Sequence, residues 1–146
     1  MRIVVTNRKA RFQYFLLEKW EAGLSLKGTE VKSLREGAAS LNESYCKIEG
    51  NEVFLLESNI TPYNQGNIWN HDPKRKRKLL MHKKEILKIK QKLMEKGLTL
   101  IPVKIYFNDK GKAKVEVALA KGKKLYDKRE TIQKRDTERR LRGREY

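Results

Sequence analysis

The chain has 146 residues, a length that suits one domain with a modest hydrophobic core. It carries 35 Lys and Arg against 18 Asp and Glu, a formal net charge of +17. A compact fold with this excess repels itself, so the composition predicts a polyanionic partner, with nucleic acid as the leading class. No apolar run is long enough to span a bilayer, and no basic segment has a wholly apolar opposite face, which argues against a membrane partner.

Other features of the sequence limit its compartment and its chemistry. Residues 1–7 lack the extended apolar segment and the cleavage site of a signal peptide. Cys46 is the only cysteine, so we predict no disulfide framework and no cysteine-based metal site. Together these features predict a cytoplasmic protein without a cofactor or a bound metal.

Residue patterns along the chain predict a mainly β fold in which two helices interrupt short strands. β-branched and aromatic runs favour strands, and Gly50-Asn51 between two such runs is a strong hairpin signal. Thr29 suits the N-cap of a short helix that Gly37 ends. The predicted elements are strands at 3–5, 12–17, 20–28, 44–49, 52–57, 99–107 and 114–119, a helix at 30–36, a loop at 59–70 and a long helix at 72–97.

The predicted long helix at 72–97 holds the densest charge of the chain. Asp72 suits its N-cap, Pro73 its first position and Gly97 its end. Residues 74–96 contain eleven Lys and Arg against two Asp and Glu, and residues 74–78 are all cations. Two apolar ridges follow, and Lys83 and Lys90 lie between them, where they either pack by their stems or contact the partner. The ridges are Leu79, Ile86 and Leu93, and Leu80, Leu87 and Met94.

The order of these elements predicts the architecture. Antiparallel strands with helices inserted at the joints fit a closed or partly open barrel of the oligonucleotide-binding type. Pro102 within a strand predicts an edge position or a bulge. We predict an RNA-binding β-barrel domain at 1–125, followed by a basic tail at 126–146 that has few apolar residues and is disordered when free.

Carboxylates and histidines leave a catalytic alternative. Glu21, Glu30 and His82 are the residues that an RNA-processing enzyme would use, but their spacing does not favour paired carboxylates. Neither His71 nor His82 has a second metal ligand at a recognised spacing. The residues therefore favour a non-catalytic binding protein, and a ribosomal or general RNA-binding protein is the alternative within that class.

Several short motifs occur together and in a fixed order. Any one of them is weak, but the set is highly specific, and it resembles the SsrA-binding proteins, or small protein B family, of bacterial trans-translation. The motifs are Asn7-Arg8-Lys9-Ala10-Arg11-Phe12-Gln13-Tyr14, Glu21-Ala22-Gly23-Leu24 with residues 28–35, Asp72-Pro73 with Arg77-Lys78-Leu79-Leu80, and Ala120-Lys121-Gly122-Lys123-Lys124 with Asp127-Lys128-Arg129.

This resemblance implies a function. Members of the family have an oligonucleotide-binding-type barrel with extra helices and no catalytic activity. They bind the tRNA-like domain of transfer-messenger RNA and accompany it to stalled ribosomes, where the protein replaces the missing anticodon arm at the decoding centre. The C-terminal tail becomes helical in the empty mRNA channel and signals that no message is present. Elongation factor Tu would be a partner only indirectly, through the charged RNA.

The resemblance also implies two groups of site residues. The RNA-facing residues would be Asn7, Arg8, Lys9, Arg11, Glu21, Glu30, Lys32, Arg35, Lys121, Lys123 and Lys124. The residues that serve the ribosomal step would be Asp127, Lys128, Arg129, Lys134, Arg135, Arg139 and Arg140. On this basis the helix at 72–97 is a strut that attracts RNA generally, whereas specific recognition falls to the 7–11 turn, the 28–35 helix and the 121–124 segment.

Overall fold

The computed structural model describes residues 1–62, 70–95 and 97–123. Within them the chain forms a mainly β structure with three short helices. The strands are β1 (Arg2–Thr6), β2 (Tyr14–Leu24), β3 (Ala39–Ser40), β4 (Tyr45–Glu49), β5 (Glu52–Leu56), β6 (Asn59–Ile60), β7 (Arg77–Leu80), β8 (Leu98–Phe107) and β9 (Ala113–Gly122). The helices are α1 (Arg8–Gln13), α2 (Gly28–Arg35) and α3 (Lys83–Leu93).

One antiparallel sheet forms the body of the molecule. Its strand order is β1-β8-β9-β2-β7-β5-β4, and it curls until β4 at one edge contacts β8, which gives a partly open barrel. The barrel encloses a single apolar cluster that includes Val53, Leu55, Leu79, Leu100 and Val115. Burying each such side chain contributes about 1.5–3 kcal/mol. The predicted mainly β, antiparallel fold with few helices is confirmed.

Both predicted hairpins are present. Gly50 has a φ of 62°, a conformation that suits glycine because it has no Cβ, and the turn Gly50-Asn51 joins β4 to β5. In the β8–β9 hairpin the register shifts between Pro102 and Lys104. The bulge predicted from Pro102 is therefore confirmed, because a proline has no N–H to give to the ladder.

The long helix predicted at 72–97 is wrong over its first half. Residues 77–80 form β7, between β2 and β5, and α3 begins only at Lys83. Successive side chains of β7 point to opposite faces, so Leu79 is buried while Leu80 is 55% exposed. A helical ridge that includes these two leucines therefore does not exist.

Only one side of α3 packs on the barrel. Ile86 and Ile89 are buried and Leu93 packs partly against them. Leu87 and Met94, which belong to the other predicted ridge, are exposed. α3 therefore packs on the barrel as a strut, through a single apolar stripe over residues 83–93.

The strand predicted at 12–17 begins later than expected. Residues 8–13 form α1, and β2 then runs without interruption from Tyr14 to Leu24. The Asn7 side chain caps α1 by accepting a hydrogen bond from the Ala10 N–H at 3.3 Å. Phe12 lies on the outer side of α1 and is 81% exposed, so its ring is outside the core.

The short helix predicted at 30–36 is present as α2, slightly shifted. It starts at Gly28 and its N-cap is Lys27 rather than Thr29. Gly37, with a φ of 75°, ends the helix as predicted. Leu34 is fully buried, which anchors α2 on the barrel.

Candidate nucleic-acid interface

The arginines of the 74–78 cationic run point into the molecule. Arg77 is fully buried, and its guanidinium lies 2.6 Å from a Glu30 carboxylate oxygen. Arg75 places its own guanidinium 2.6 Å from the other oxygen. Arg77 also donates to the Ser58 carbonyl and hydroxyl oxygens at 2.9 and 3.0 Å. Arg77 is therefore part of a buried polar network and is not available to a partner, whereas Arg75 joins this network with 27% of its side chain exposed.

The lysines of the same run point outward, and each faces a glutamate. Within β7, Lys78 points away from the buried Arg77 and Leu79, because successive side chains of a strand alternate. Lys76 also lies 4.1 Å from the centre of the Phe54 ring. The nitrogen–oxygen distances are 3.9 Å for Lys74–Glu57, 2.5 Å for Lys76–Glu49 and 3.7 Å for Lys78–Glu52. Glutamates around β5 thus offset much of the charge on this face.

Glu30 is a buried positioning residue. Its side chain is fully buried, and it also accepts a hydrogen bond from the Lys27 N–H at 2.7 Å. Burial alone would raise the pKa of Glu30, but the hydrogen bonds from Arg75 and Lys27 and the charge of Arg77 lower it. The carboxylate of Glu30 therefore orients the two arginines in this structure, and its assignment to the RNA-facing region stays a prediction.

Asn7 is likewise structural. It is 4% exposed, its side-chain amide donates to the Pro102 carbonyl at 2.9 Å, and its backbone N–H donates to the Val103 carbonyl at 2.7 Å. Its oxygen caps α1, so both ends of the buried side chain hold the protein's own backbone. In this structure Asn7 fixes α1 on the bulge of β8, and its contact with RNA stays a prediction.

The remaining residues of the 7–11 motif meet the end of β9 on one surface. The Lys123 ammonium donates to the Arg11 carbonyl at 2.8 Å and lies 5.2 Å from the centre of the Phe15 ring. Arg8 and Arg11 are exposed, and in the described parts of the chain no ion pair holds either of them. We call this the α1 surface; its cations are Arg8, Lys9, Arg11, Lys121 and Lys123. The structure thus joins two segments that the motifs placed far apart in sequence.

Ion pairing on the α1 surface is limited. Lys9 forms an exposed ion pair with Glu43 at 2.8 Å. The predicted cations of α2, Lys32 and Arg35, are exposed, but they lie near the other end of β1, where Arg2 donates to the Arg35 carbonyl at 2.5 Å. They therefore extend the basic surface along β1 and are not part of the α1 surface itself.

Glu21 lies in a separate groove between β2, β7, β9 and the start of α3. The groove has a volume of about 610 Å³. Leu80 lies in it with its side chain largely exposed. We call this the Glu21 groove; it is lined by Glu21, Gly23, Asn51, Glu52, Lys78, Leu79, Leu80, Met81, His82, Lys83, Glu85, Ile86 and Lys114.

A buried tyrosine holds the Glu21 carboxylate in place. The Tyr106 hydroxyl donates a hydrogen bond to Glu21. Burial of the ring, this hydrogen bond and the nearby negative charge raise the pKa of Tyr106, so its hydroxyl remains a donor. The carboxylate keeps further lone pairs for a ligand, and Lys83 and Lys114 supply cations beside it. The groove combines phosphate-binding ammonium groups, an acceptor for base amino groups and the apolar Leu80.

Sequence reasoning assigned Glu21 but missed its neighbours in the groove. Leu80 was read as part of a helical ridge, and Lys114 as an ordinary strand residue. The available signal was the alternation of Leu79 and Leu80 in a strand, which turns the second leucine outward. The convergence of Leu80, Lys114 and Glu21 depends on strand pairing that the sequence does not display.

The α1 surface and the Glu21 groove lie apart on the barrel. Phe15, beside the α1 surface, and Glu21 are separated by six residues of β2, which span about 20 Å at 3.3 Å per residue. The molecule therefore presents two sites near opposite ends of one strand. The α1 surface is cationic, whereas the Glu21 groove is of mixed charge, lined by Lys78, Lys83, Lys114, Glu21, Glu52 and Glu85.

Neither histidine supports a catalytic alternative. His71 is 4% exposed, and its ring nitrogens lie 2.8 Å from the Thr29 hydroxyl and 2.8 Å from the Ile60 carbonyl oxygen. His82 is exposed at the start of α3. Over 1–62, 70–95 and 97–123, no group of three or more His, Cys, Asp and Glu side chains is arranged to hold a metal ion. The same ranges contain no helix long and apolar enough to cross a membrane.

Several predicted residues lie outside the described ranges. Lys124 of the RNA-facing group is one. The whole tail group is also outside them: Asp127, Lys128, Arg129, Lys134, Arg135, Arg139 and Arg140. Their assignments, and the predicted disorder of the tail, remain predictions from the sequence.

The basic barrel, its cationic α1 surface and the mixed-charge Glu21 groove define a small protein of the nucleic-acid-binding class. A family model described as "SmpB protein" matches residues 4–145. The chain belongs to the SmpB protein family, as the ordered motifs predicted.

Curated relatives agree with this assignment. The SsrA-binding protein of Thermosipho melanesiensis is 57% identical over 142 residues, which cover 97% of each chain. The SsrA-binding protein of Desulforudis audaxviator is 59% identical over 140 residues, covering 96% of this chain and 91% of the relative. A solved structure described as "tmRNA-SmpB: a journey to the center of the bacterial ribosome" matches with a TM-score of 0.69 and 51% identity, covering 80% of this chain and 82% of the other.

Proposed function

We propose that this protein is a non-catalytic adaptor that binds the tRNA-like domain of transfer-messenger RNA and delivers it to stalled ribosomes. The observation that carries the proposal is the pair of separate sites near opposite ends of β2, a cationic surface and a groove of mixed charge. An adaptor between two RNA partners needs a separate face for each of them, so that both can be bound at the same time. Family membership and the names of the relatives support the identity of these partners.

We assign the Glu21 groove to transfer-messenger RNA. Phosphates repel a carboxylate, so Glu21 contributes only where RNA presents donors, such as base amino groups or a 2′-hydroxyl. Lys83 and Lys114 supply the complementary phosphate contacts, and exposed Leu80 offers an apolar contact to a base or sugar. This combination suits a structured RNA better than a generic duplex.

The resemblance implied that the residues of the α1 surface bind transfer-messenger RNA. Because we give that partner to the Glu21 groove, we propose instead that the α1 surface binds the ribosome. Its cations, including Arg8 and Arg11, suit the phosphates of ribosomal RNA. In this arrangement the barrel takes the position of an anticodon arm at the decoding centre, and the basic tail enters the mRNA channel and reports that it is empty. Elongation factor Tu takes part only through the charged RNA. This process occurs in the cytoplasm, so the protein acts there.

Binding to a purified tRNA-like domain tests the proposal. We expect at least tenfold tighter binding to this RNA than to an unrelated duplex of equal length, because only the former fits the groove. Affinity for both should fall steeply with salt, since each phosphate contact adds about 0.9 to the slope of log K against log salt. Titrations from low to moderate salt, followed by fluorescence anisotropy, measure both quantities. Equal affinity for the two RNAs would rule out the proposal.

The variant Glu21→Gln distinguishes selective recognition of the tRNA-like domain from general electrostatic attraction to RNA. The amide oxygen still accepts from Tyr106, so the fold should be retained while the charge is lost. We expect the preference for the tRNA-like domain to fall by about tenfold, in line with about 1–3 kcal/mol for one good base contact. Binding to the unrelated duplex should rise slightly because a repulsive charge has gone. Glu36→Gln, on an exposed residue beyond α2, is the matched control; equal effects of both changes would contradict the role of Glu21.

A further inference from the structure

Most of the exposed lysines described above form ion pairs with glutamates. The turn between β8 and β9 carries lysines in a different arrangement. The Asn108 side-chain oxygen accepts hydrogen bonds from the Lys110 and Lys112 backbone N–H groups at 3.0 and 2.9 Å. Gly111 has a φ of 76° and donates its N–H to the Asn108 carbonyl at 2.9 Å. The turn is thus held by its backbone, and the lysine side chains play no part in holding it.

The only carboxylate of this turn is occupied by the chain's own N-terminus. The Met1 ammonium lies 3.0 Å from the Asp109 carboxylate, so Asp109 does not neutralise the neighbouring lysines. Lys110 and Lys112 are exposed, and among the residues the structure describes neither side chain has an ion-pair partner. Both charges are therefore available to a polyanion.

These two lysines continue the cationic side of the Glu21 groove. Lys114, two positions after Lys112, lines the groove itself. Lys114 is paired across the hairpin with Tyr106, whose hydroxyl holds Glu21. From Lys110 to Lys114 the chain spans about 13 Å at most, which is about two phosphate spacings along an RNA strand. Lys110 and Lys112 therefore lie within about 13 Å of a residue that lines the groove.

We propose that Lys110 and Lys112 bind phosphates of the RNA strand that leaves the Glu21 groove, and so lengthen the interface beyond it. This inference rests on the proposed function, because it takes the occupant of the groove to be RNA. The contacts are charge-assisted and sequence-independent, so they add affinity without adding selectivity.

The double variant Lys110→Ala/Lys112→Ala tests the inference. Lys74→Ala/Lys88→Ala is the matched control, because it removes two exposed lysines that are ion-paired with Glu57 and Glu18 and lie outside the groove. For the tRNA-like RNA we expect the turn variant to lower affinity by about tenfold at 0.1 M salt and to reduce the salt slope by about 1–2. The control should change both by much less, and Lys110→Arg/Lys112→Arg should retain the slope.

The outcomes separate this inference from the proposed function. If the unmodified protein fails to prefer the tRNA-like RNA, the proposed function fails. If it does prefer it, yet the turn and control variants behave alike, the phosphate role of the turn is overturned. A second arm measures binding to isolated small ribosomal subunits. A loss confined to that arm would also overturn the inference, because it would place the turn against ribosomal RNA.

Discussion

Replacing Arg77 with methionine is expected to lower the free energy of unfolding by about 3–5 kcal/mol. Arg77 and Glu30 are both fully buried and lie 2.6 Å apart. Methionine fills much of the same space but leaves the Glu30 carboxylate with Arg75 as its only arginine partner. Urea unfolding followed by circular dichroism at neutral pH measures the loss.

Two further variants show that burial is the reason for this loss. Lys74→Met removes an exposed pair with Glu57 at 3.9 Å and should cost about 0–1 kcal/mol. The double variant Glu30→Met/Arg77→Met removes both fully buried charges and should recover part of the stability, because the remaining Arg75 is partly exposed and can be solvated. A loss below about 1 kcal/mol for Arg77→Met would show that the buried pair does not hold α2 to β7.

The same comparison has a defined pH dependence. The arginines keep the pKa of Glu30 below its unfolded value, despite burial. A carboxyl group whose pKa is lower in the folded state stabilises the fold at any pH above its unfolded pKa, which is about 4.3. This contribution is lost as the pH falls through the folded pKa. The stability difference between the unmodified protein and Arg77→Met should therefore narrow on acidification and stay constant between pH 6 and 8.

Local signals in the sequence were sufficient for the hairpins and for the C-terminal end of α2, whereas α3 ends at Leu93, before the predicted Gly97. Gly50, Gly97 and Gly37 all have positive φ, and each lies where a turn or a helix end was predicted. A glycine at such a position reflects the backbone conformation of its own segment. These features were predictable because no distant residue is needed to produce them.

The error at 72–80 arose because the cations were read as surface residues. Buried Arg77 and Leu79 alternate with exposed Lys78 and Leu80, which is the period of a strand. Counting arginine as exposed conceals this period. The charge of buried Arg77 is offset by Glu30, forty-seven residues away. No residue near Arg77 in the sequence indicates this pairing.

The same limit explains why the burial of two predicted site residues was not foreseen. Glu30 and Asn7 occur in the family motifs, but a motif does not separate residues that contact a ligand from residues that hold those contacts in place. Their partners, Arg77 and Pro102, are distant in sequence and are brought close by strand pairing. By contrast, exposed Arg8 and Arg11 were placed correctly on the surface, because a cation without a buried acid nearby stays in solvent.

Deleting residues 132–146 should abolish tagging of stalled chains while leaving binding to the tRNA-like RNA within about threefold. The deletion removes none of the residues that line the Glu21 groove. It removes six Lys and Arg and three Asp and Glu, so the general attraction to RNA changes little. Tagging should fail because the proposed tail contact in the mRNA channel is lost. The two readouts are RNA affinity and the yield of tagged product in a reconstituted translation system.

Substitution within the tail identifies the chemistry of this step. Changing Lys134, Arg135, Arg139 and Arg140 to alanine keeps the length and removes four cations. If the tail acts by contacting ribosomal phosphates, this variant should lose most tagging, and lower salt should restore part of it. Glu21→Gln provides the reciprocal case, with weaker selective RNA binding and an intact tail. A truncated protein that still tags stalled chains at the normal rate would show that the adaptor works through its barrel alone.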